Sequence, residues 1–222
     1  MRRLENLTQT YAVHVIHSLL SPGMELEYLE EPVRHPAVMI VDLDGDGVPE
    51  IVGGYRTQEG IHALIAKYAY DRWHVVSRMK GPGYAIANMI AAPLVLPNRN
   101  SLLLGWQIGA VWAQLDILHF EQGTYRHLTP YDVIYSKIMV EDMPRLHGKD
   151  GVCEIALWVH DTGDAYQIDI YRWNRGLRKD ESVYPYYFAK KVVPYYERLV
   201  KEMPDSTVYR QYLQNAKEKA TP

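Results

Sequence analysis

Two hexapeptides, Asp46–Ile51 (DGVPEI) and Asp150–Ile155 (DGVCEI), agree at five of six positions. They lie 150 − 46 = 104 residues apart, twice a period that the segments between them also follow. Runs that read as the second strands of a repeat start at Glu50 (EIVGGY), Ser101 (SLLLGW) and Glu154 (EIALWV), at spacings of 101 − 50 = 51 and 154 − 101 = 53 residues. Third strands start at His62 (HALIAKYAY), Trp112 (WAQLDILHF) and Ala165 (AYQIDIYRW). Each alternates apolar and polar residues as a half-buried antiparallel strand does. Tight turns follow at Asp71-Arg72, Glu121-Gln122-Gly123 and Asn174-Arg175-Gly176. A unit of about 50 residues holding four short strands is the signature of a propeller-like blade. The expected fold is mainly β, with three four-stranded antiparallel blades at 37–80, 86–130 and 133–183 inside a repeat domain over 31–183. Closed propellers use about four to eight blades. Three make a partial propeller, closed by the N-terminal GMELEYL segment, left open as packed sheets, or completed by another chain.

Composition fits this reading. The chain carries 18 Tyr and 5 Trp against 2 Phe, and tyrosine and tryptophan suit strand positions with one wet end. With 24 basic and 27 acidic residues the net charge is −3, so no basic excess points to nucleic acid or an anionic membrane. No apolar run approaches the roughly 18 residues a membrane span needs. The opening segment, residues 1–30, carries Arg2 and Arg3, but His14 and His17 interrupt its apolar part and no small-residue cleavage site follows. It is expected to pack on the β domain rather than to act as a signal peptide. The single cysteine, Cys153, rules out an internal disulfide and reads as a small buried side chain.

From Tyr184 the period changes from strand to helix. Pro194 fits the first turn of a helix over PYYERLVKEM, Pro204 stops it, and Asp205 or Ser206 can cap a second helix, TVYRQYLQNAKEKA. Val208, Tyr212, Leu213, Ala216 and Ala220 fall on one stripe of that helix. Residues 184–222 are therefore expected to form a helical hairpin. It is similar to the junction between successive TPR repeats, but one such unit cannot build a groove, because stacking is what buries the core of a repeat array. A cap on the β domain is the favoured reading over a partner-binding module.

The segment DLDGDGVPE places carboxylates at Asp42, Asp44, Asp46 and Glu50, with the Val48 carbonyl between them. Alternate spacing turns these hard oxygen ligands toward one ion, which favours calcium. Gly45 and Gly47 allow the tight, partly left-handed path this requires. An EF-hand needs a bidentate Glu at its twelfth position and helical flanks; here that position is Gly53 and the flanks are AVMIV and IVGGY. The run VDLDGDGVPEIVGGY instead resembles the metal turn of FG-GAP/VCBS repeats, the blade units of integrin α-chain propellers and of many bacterial surface proteins. That resemblance covers about one blade. It implies calcium held by Asp42, Asp44, Asp46, the Val48 carbonyl and Glu50. In the third segment Asp142, Asp150 and Glu154 form a second, weaker candidate: Glu154 − Asp142 is 12 against 8 for Glu50 − Asp42, a four-residue insertion in which His147 and Lys149 intrude. The middle segment, PLVLPNRNS, has lost the acids and should hold no metal.

The central hairpins GYRTQEGIH, GWQIGAVWA and HDTGDAYQ would lie on one face if the blades are equivalent. They would present Tyr55, Arg56, Trp106, Gln107, Trp112, His160, Asp161, Asp164 and Tyr166 as a candidate ligand face for a protein or carbohydrate; the alternative is that the rings pack between blades. His160, Asp161 and Asp164 are near one another in a turn, which does not make a positioned acid/base pair. KGPGYAIAN has two glycines without the spacing of a phosphate loop and reads as a linker. The expected function is thus a non-enzymatic, calcium-binding β-repeat interaction module, placed outside the cytoplasm by the family resemblance. The alternatives are a glycan-active hydrolase or lyase on the hairpin face, or an adaptor working through the C-terminal helices.

Overall fold

The computed structural model describes residues 7–129 and 133–221. Arg2, Arg3 and the expected blade boundary at residue 130 lie outside them. The chain forms two compact units, Met1–Pro93 with Asn98–Ile134, and Leu94–Pro97 with Tyr135–Pro222.

The first unit opens with a helix, α1 (Gln9–Leu19). The Thr8 hydroxyl caps it by accepting the Tyr11 amide at 3.2 Å. Ala12, Val15 and Ile16, at helical spacing, bury against Ile51, Leu64 and Ala66. The contact is close: a Cβ at Gly53 would sit 2.6 Å from the Ile16 Cδ1 atom. Short strands β1 (Glu25–Leu26), β2 (Tyr28–Leu29) and β3 (His35–Pro36) follow, with β2 and β3 paired to each other. Then come β4 (Val38–Val41), β5 (Glu50–Thr57), β6 (Gly60–Ala69) and β7 (Arg72–Lys80). They form an antiparallel sheet in the order β1-β5-β6-β7, with β4 sharing the β1 edge of β5. The GMELEYL segment thus joins the first sheet through β1. The second sheet holds β8 (Ala85–Leu96), β9 (Arg99–Gln107), β10 (Ala113–Glu121), β11 (Thr124–His127) and β12 (Ile134–Tyr135), in the order β11-β10-β9-β8 with β12 on β10.

The second unit is built on β13 (Lys137–Glu141), β14 (Glu154–His160), β15 (Tyr166–Trp173) and β16 (Leu177–Lys179), an antiparallel sheet in that order. A 3-10 turn (Glu181–Val183) leads into α2 (Tyr184–Tyr187), a π turn (Phe188–Val192) and α3 (Val193–Glu202); α4 (Thr207–Lys219) returns antiparallel to it. The helical path begins at the 3-10 turn, well ahead of Pro194, which falls in the first turn of α3 as its sequence position suggests. The wide turn over Phe188–Val192 directly precedes Pro194; a proline cannot donate to the previous turn, and a π turn relaxes that ladder where the ring needs room. Ser206 is the cap of α4, accepting the Tyr209 amide at 3.3 Å. The buried stripe of α4 runs through Tyr209 and Ala216, with Tyr212, Leu213 and Ala220 packed beside it; Val208 is exposed.

The helices pack on the third sheet, in this unit. Ala156, Trp158, Ile168 and Ile170 of the sheet share one core with Tyr187, Phe188, Val192 and Tyr196. Cys153 is half-buried rather than fully buried, and burial pushes its thiol up to about 11.

Candidate metal centre

The turn Asp42–Glu50 joins β4 to β5, and its backbone is fixed by its own carboxylates. Asp42 accepts the Gly45 amide at 2.7 Å on one oxygen and the Gly47 amide at 2.9 Å on the other. Asp44 accepts the Asp46 amide at 3.2 Å, and Asp46 accepts the Val48 amide at 2.8 Å. Gly45 and Gly47 take positive φ, +76° and +81°, where a side chain would strain the chain. Glu50, fully buried, accepts the Leu43 amide on Oε2 at 2.8 Å.

Three oxygens remain, Asp44 Oδ2, Asp46 Oδ2 and Glu50 Oε1, and all three meet the ammonium of Lys67. It donates to Asp46 at 2.8 Å, to Glu50 at 3.0 Å, and to Asp44. An ammonium has three N–H groups, so each donor has its own carboxylate. Lys67 comes from β6. The β5–β6 register pairs Ile51 with Ala66, so the next step along the ladder sets Lys67 opposite Glu50. Burial opposes charge on Lys67, yet the hydrogen bonds to Asp44, Asp46 and Glu50 outweigh it and hold its pKa well above the ordinary range. The bond from Lys67 keeps the Asp46 carboxyl below the usual carboxylate range. Burial pushes Glu50 up, against the Leu43 amide and Lys67, which favour its ionised form. Arg99 of β9 adds a hydrogen bond to the Asp44 carbonyl, and Asn100 one to the Asp42 carbonyl at 3.2 Å.

The same construction recurs in the third sheet. Asp142 accepts the Gly151 amide at 3.0 Å, Asp150 the Val152 amide at 3.0 Å, and buried Glu154 the Met143 amide at 2.9 Å. These match the bonds at Gly47, Val48 and Leu43 despite the four-residue insertion. Arg172 stands where Lys67 does: β14–β15 pairs Ile155 with Tyr171, which places Arg172 opposite Glu154. It donates to Asp150 at 2.8 Å and to Glu154 at 3.0 Å. Arg145, from the insertion, donates to Glu154 at 2.9 Å and to Asp180. In the second sheet the register pairs Leu102 with Leu118, and the next pair is Ser101 and His119. Both are buried, 3.0 Å apart, and burial lowers the His119 pKa. Each sheet thus carries a polar pair at one equivalent ladder position, Glu–Lys, Ser–His and Glu–Arg.

The donor chemistry of the first turn fits a hard divalent cation. Ligand oxygens of Asp42, Asp44 and Glu50 lie within 4.8 Å of one another, a span that Ca–O distances of about 2.4 Å can bridge. Two of these three residues, Asp44 and Glu50, are held by Lys67, while both Asp42 oxygens accept amides of the turn, so lysine and metal compete for Asp44 and Glu50. In the third turn two guanidinium groups occupy the corresponding place.

The hairpin residues read from the sequence as a ligand face are differently disposed. Tyr55, Trp106 and Tyr166 are 2%, 1% and 8% exposed, so their rings are core, not a surface for a ligand. Arg56 pairs with Glu27 at 2.7 Å. Gln107 bonds the Gly109 carbonyl, and Trp112 is half-buried beside that turn. At the third hairpin, His160 meets the Gly163 carbonyl at 2.8 Å. Asp161 accepts the Tyr212 hydroxyl, the Asp164 amide donates to the Tyr209 hydroxyl at 3.2 Å, and the Asp164 carbonyl accepts the Tyr195 hydroxyl at 2.7 Å. Three tyrosines of α3 and α4 therefore pin this turn.

Sequence reading missed both α1 and the basic partners. For α1 the signal was Thr8 ahead of Ala12, Val15, Ile16 and Leu19. For Lys67 it was a hairpin register, countable from Glu50, that brings a basic residue opposite the acid. No protein-family model matches the chain, and no curated protein matches it either.

Proposed function

We propose that this is a non-enzymatic β-repeat interaction module of the FG-GAP/VCBS kind, a partial propeller whose acidic turns are organised by cations. In the first turn Lys67 is the resident cation and calcium its competitor. Asp44, Asp46 and Glu50 would hold calcium once the flexible lysine swings to solvent, and the ion would supply electrostatic cross-linking, not chemistry. The observation that carries this reading is the equivalence of Lys67 and Arg172. A basic side chain at one ladder position neutralises the buried glutamate in each acidic turn, so these carboxylates serve the frame of the repeat. Four carboxylates converging with no cation would repel one another strongly.

The hydrolase alternative draws no support from His160 and Asp161, whose side chains bond the Gly163 carbonyl and the Tyr212 hydroxyl, while the Asp164 backbone is held by Tyr209 and Tyr195. The adaptor alternative is weakened because the apolar stripes of the helices pack on the third sheet.

Thermal melting in millimolar calcium and in chelator, on the natural protein and on Lys67→Ala, tests the proposal. The natural protein should change little. The variant should melt lower in chelator and recover several degrees in calcium, since a ligand that binds only the folded state stabilises it by mass action. An equal calcium gain in both proteins would remove Lys67 from the site, and no gain in either would remove the metal.

A further inference from the structure

The fourth strand of the third sheet is cut short. In the first sheet β7 runs beside β6 from the His62–Lys80 pair to the Ala69–Arg72 pair. In the third, β16 pairs only with Tyr171, Arg172 and Trp173. Among the described residues, the outer edge of β15 from Tyr166 to Ile170 therefore has no strand next to it.

Which groups face that edge follows from the alternation of an antiparallel ladder. The Asp161 amide donates to the Ala165 carbonyl at 2.9 Å on the β14 side, whereas the Asp180 amide donates to the Ile170 carbonyl at 2.8 Å on the open side. Even-numbered residues thus turn their N–H and C=O outward. Tyr166 is fully served: the Tyr196 hydroxyl accepts from its amide and donates to its carbonyl, both at 2.9 Å. The Ile170 carbonyl is served by the Asp180 amide, and the Ile170 amide faces the Tyr184 hydroxyl. Between them Ile168, 6% exposed, directs an amide and a carbonyl outward with no partner among the described residues. Buried backbone groups are nearly always paired, and leaving one unmade costs about 1–3 kcal/mol.

A cavity of about 420 Å³ lies here. Four consecutive strand residues, Tyr166 to Asp169, line it. Neighbouring side chains of a strand point to opposite faces, so a cavity touching all four runs along the edge. Its far wall is helical and mixed, with Phe188, Val192, Tyr196, Tyr212 and Ala216 beside Asn215, Glu218 and Lys219.

We infer that an extended peptide segment adds to β15 here as a short strand, in the place the truncated fourth strand leaves. One residue of the segment exchanges both backbone hydrogen bonds with Ile168, and its aliphatic or aromatic side chain rests on the helical wall. This is recognition by strand addition, in which main-chain bonds give affinity and side-chain pockets give selectivity. A free donor next to a free acceptor at strand spacing matches a peptide unit better than it matches a sugar or a phosphate, and tyrosine and phenylalanine rings suit an apolar side chain. The inference rests on the interaction-module reading and names the class of partner.

The test titrates the ¹⁵N-labelled full chain with acetyl- and amide-blocked tetrapeptides carrying central Leu, Tyr or Lys, alongside the same peptides N-methylated at the residue meant to face Ile168. Expected are a saturable shift and slowed exchange of the Ile168 amide with the Leu or Tyr peptides, and at least a tenfold loss of affinity on N-methylation. Binding indifferent to N-methylation, shifts confined to other surfaces, or no binding of any peptide with an Ile168 amide exchanging freely into water would each overturn it. The calcium response of Lys67→Ala is measured separately, so a negative titration beside a positive calcium response removes this site and leaves the repeat reading in place.

Discussion

In the first sheet one lysine serves three carboxylates; in the third, two arginines serve Asp150, Glu154 and Asp180. Three of the amide-to-carboxylate bonds that shape the first turn, those at Leu43, Gly47 and Val48, recur in the third at Met143, Gly151 and Val152. The backbone of the turn is thus set by its acids and glycines, and the cation is a separable part. The two kinds of cation differ in how easily they leave. An ammonium is a compact point charge on a flexible stem, replaceable by another small cation, whereas planar guanidinium groups bind as forks and resist exchange. Calcium should therefore discriminate between the turns.

The largest effect should come from Glu154→Ala, which takes the buried carboxylate from two arginines and the acceptor from the Met143 amide, leaving Arg172 with Asp150 and Arg145 with the aspartates. Removing one partner of a buried ion pair costs about 3–5 kcal/mol, read as a drop in the urea midpoint at unchanged slope. Glu50→Ala should cost less, about 2–3 kcal/mol, because Lys67 keeps Asp44 and Asp46 and its ammonium can turn its third donor to water; equal losses would break the contrast between the turns. Next, Lys67→Ala should cost about 2 kcal/mol and Arg172→Ala about 1 kcal/mol, since Arg145 still reaches Glu154. Calcium should recover the first variant and not the second, in the same unfolding assay.

Acidification separates the second sheet from the other two. The buried His119 has its pKa lowered below 6.5, so its share of stability is present above that value and is lost as pH falls through the folded value. Melting temperature should decline below pH 6.5, and His119→Gln should abolish that first step. Asp46 and Asp150 are both held below 3.8, Asp46 by the Lys67 bond and Asp150 by Arg172 against the opposing effect of burial. Their share is present above 3.8 and fades as pH falls further, giving a second step at lower pH that Lys67→Ala should shrink. Glu50, pushed up by burial, works in the opposite direction and blunts that step. The smallest effect serves as a control: Ser206→Ala removes the α4 cap for about 1 kcal/mol, touches neither turn, and should leave the calcium response unchanged.

Much of the β framework was legible in the sequence because alternation and turn residues are local signals. The runs from Glu50, Ser101 and Glu154 are β5, β9 and β14, and the runs read as their hairpin partners contain most of β6, β10 and β15. The acidic turn was visible as a cluster, but its central cation was not. Lys67 lies 17 residues beyond Glu50 in sequence, and only the pairing of two strands brings them together. The aromatic hairpin residues misled for a related reason. Tyr55, Trp106 and Tyr166 have the composition of a binding face, and whether a ring looks outward or into a core depends on what covers it. At Tyr166 the covering comes from helices α3 and α4, whose docking place no local pattern encodes.

The four surplus residues of the third turn carry a practical lesson. Asp142 and Glu154 clamp the ends of that loop while Leu146, 93% exposed, stands at its tip beside the Arg145–Gly148 bridge. Because the clamp rather than the chain length fixes the strand ends, a foreign epitope or fluorophore-bearing tag can be grafted between His147 and Gly148. The sheet beneath would keep its alignment while the graft reports on the protein from outside.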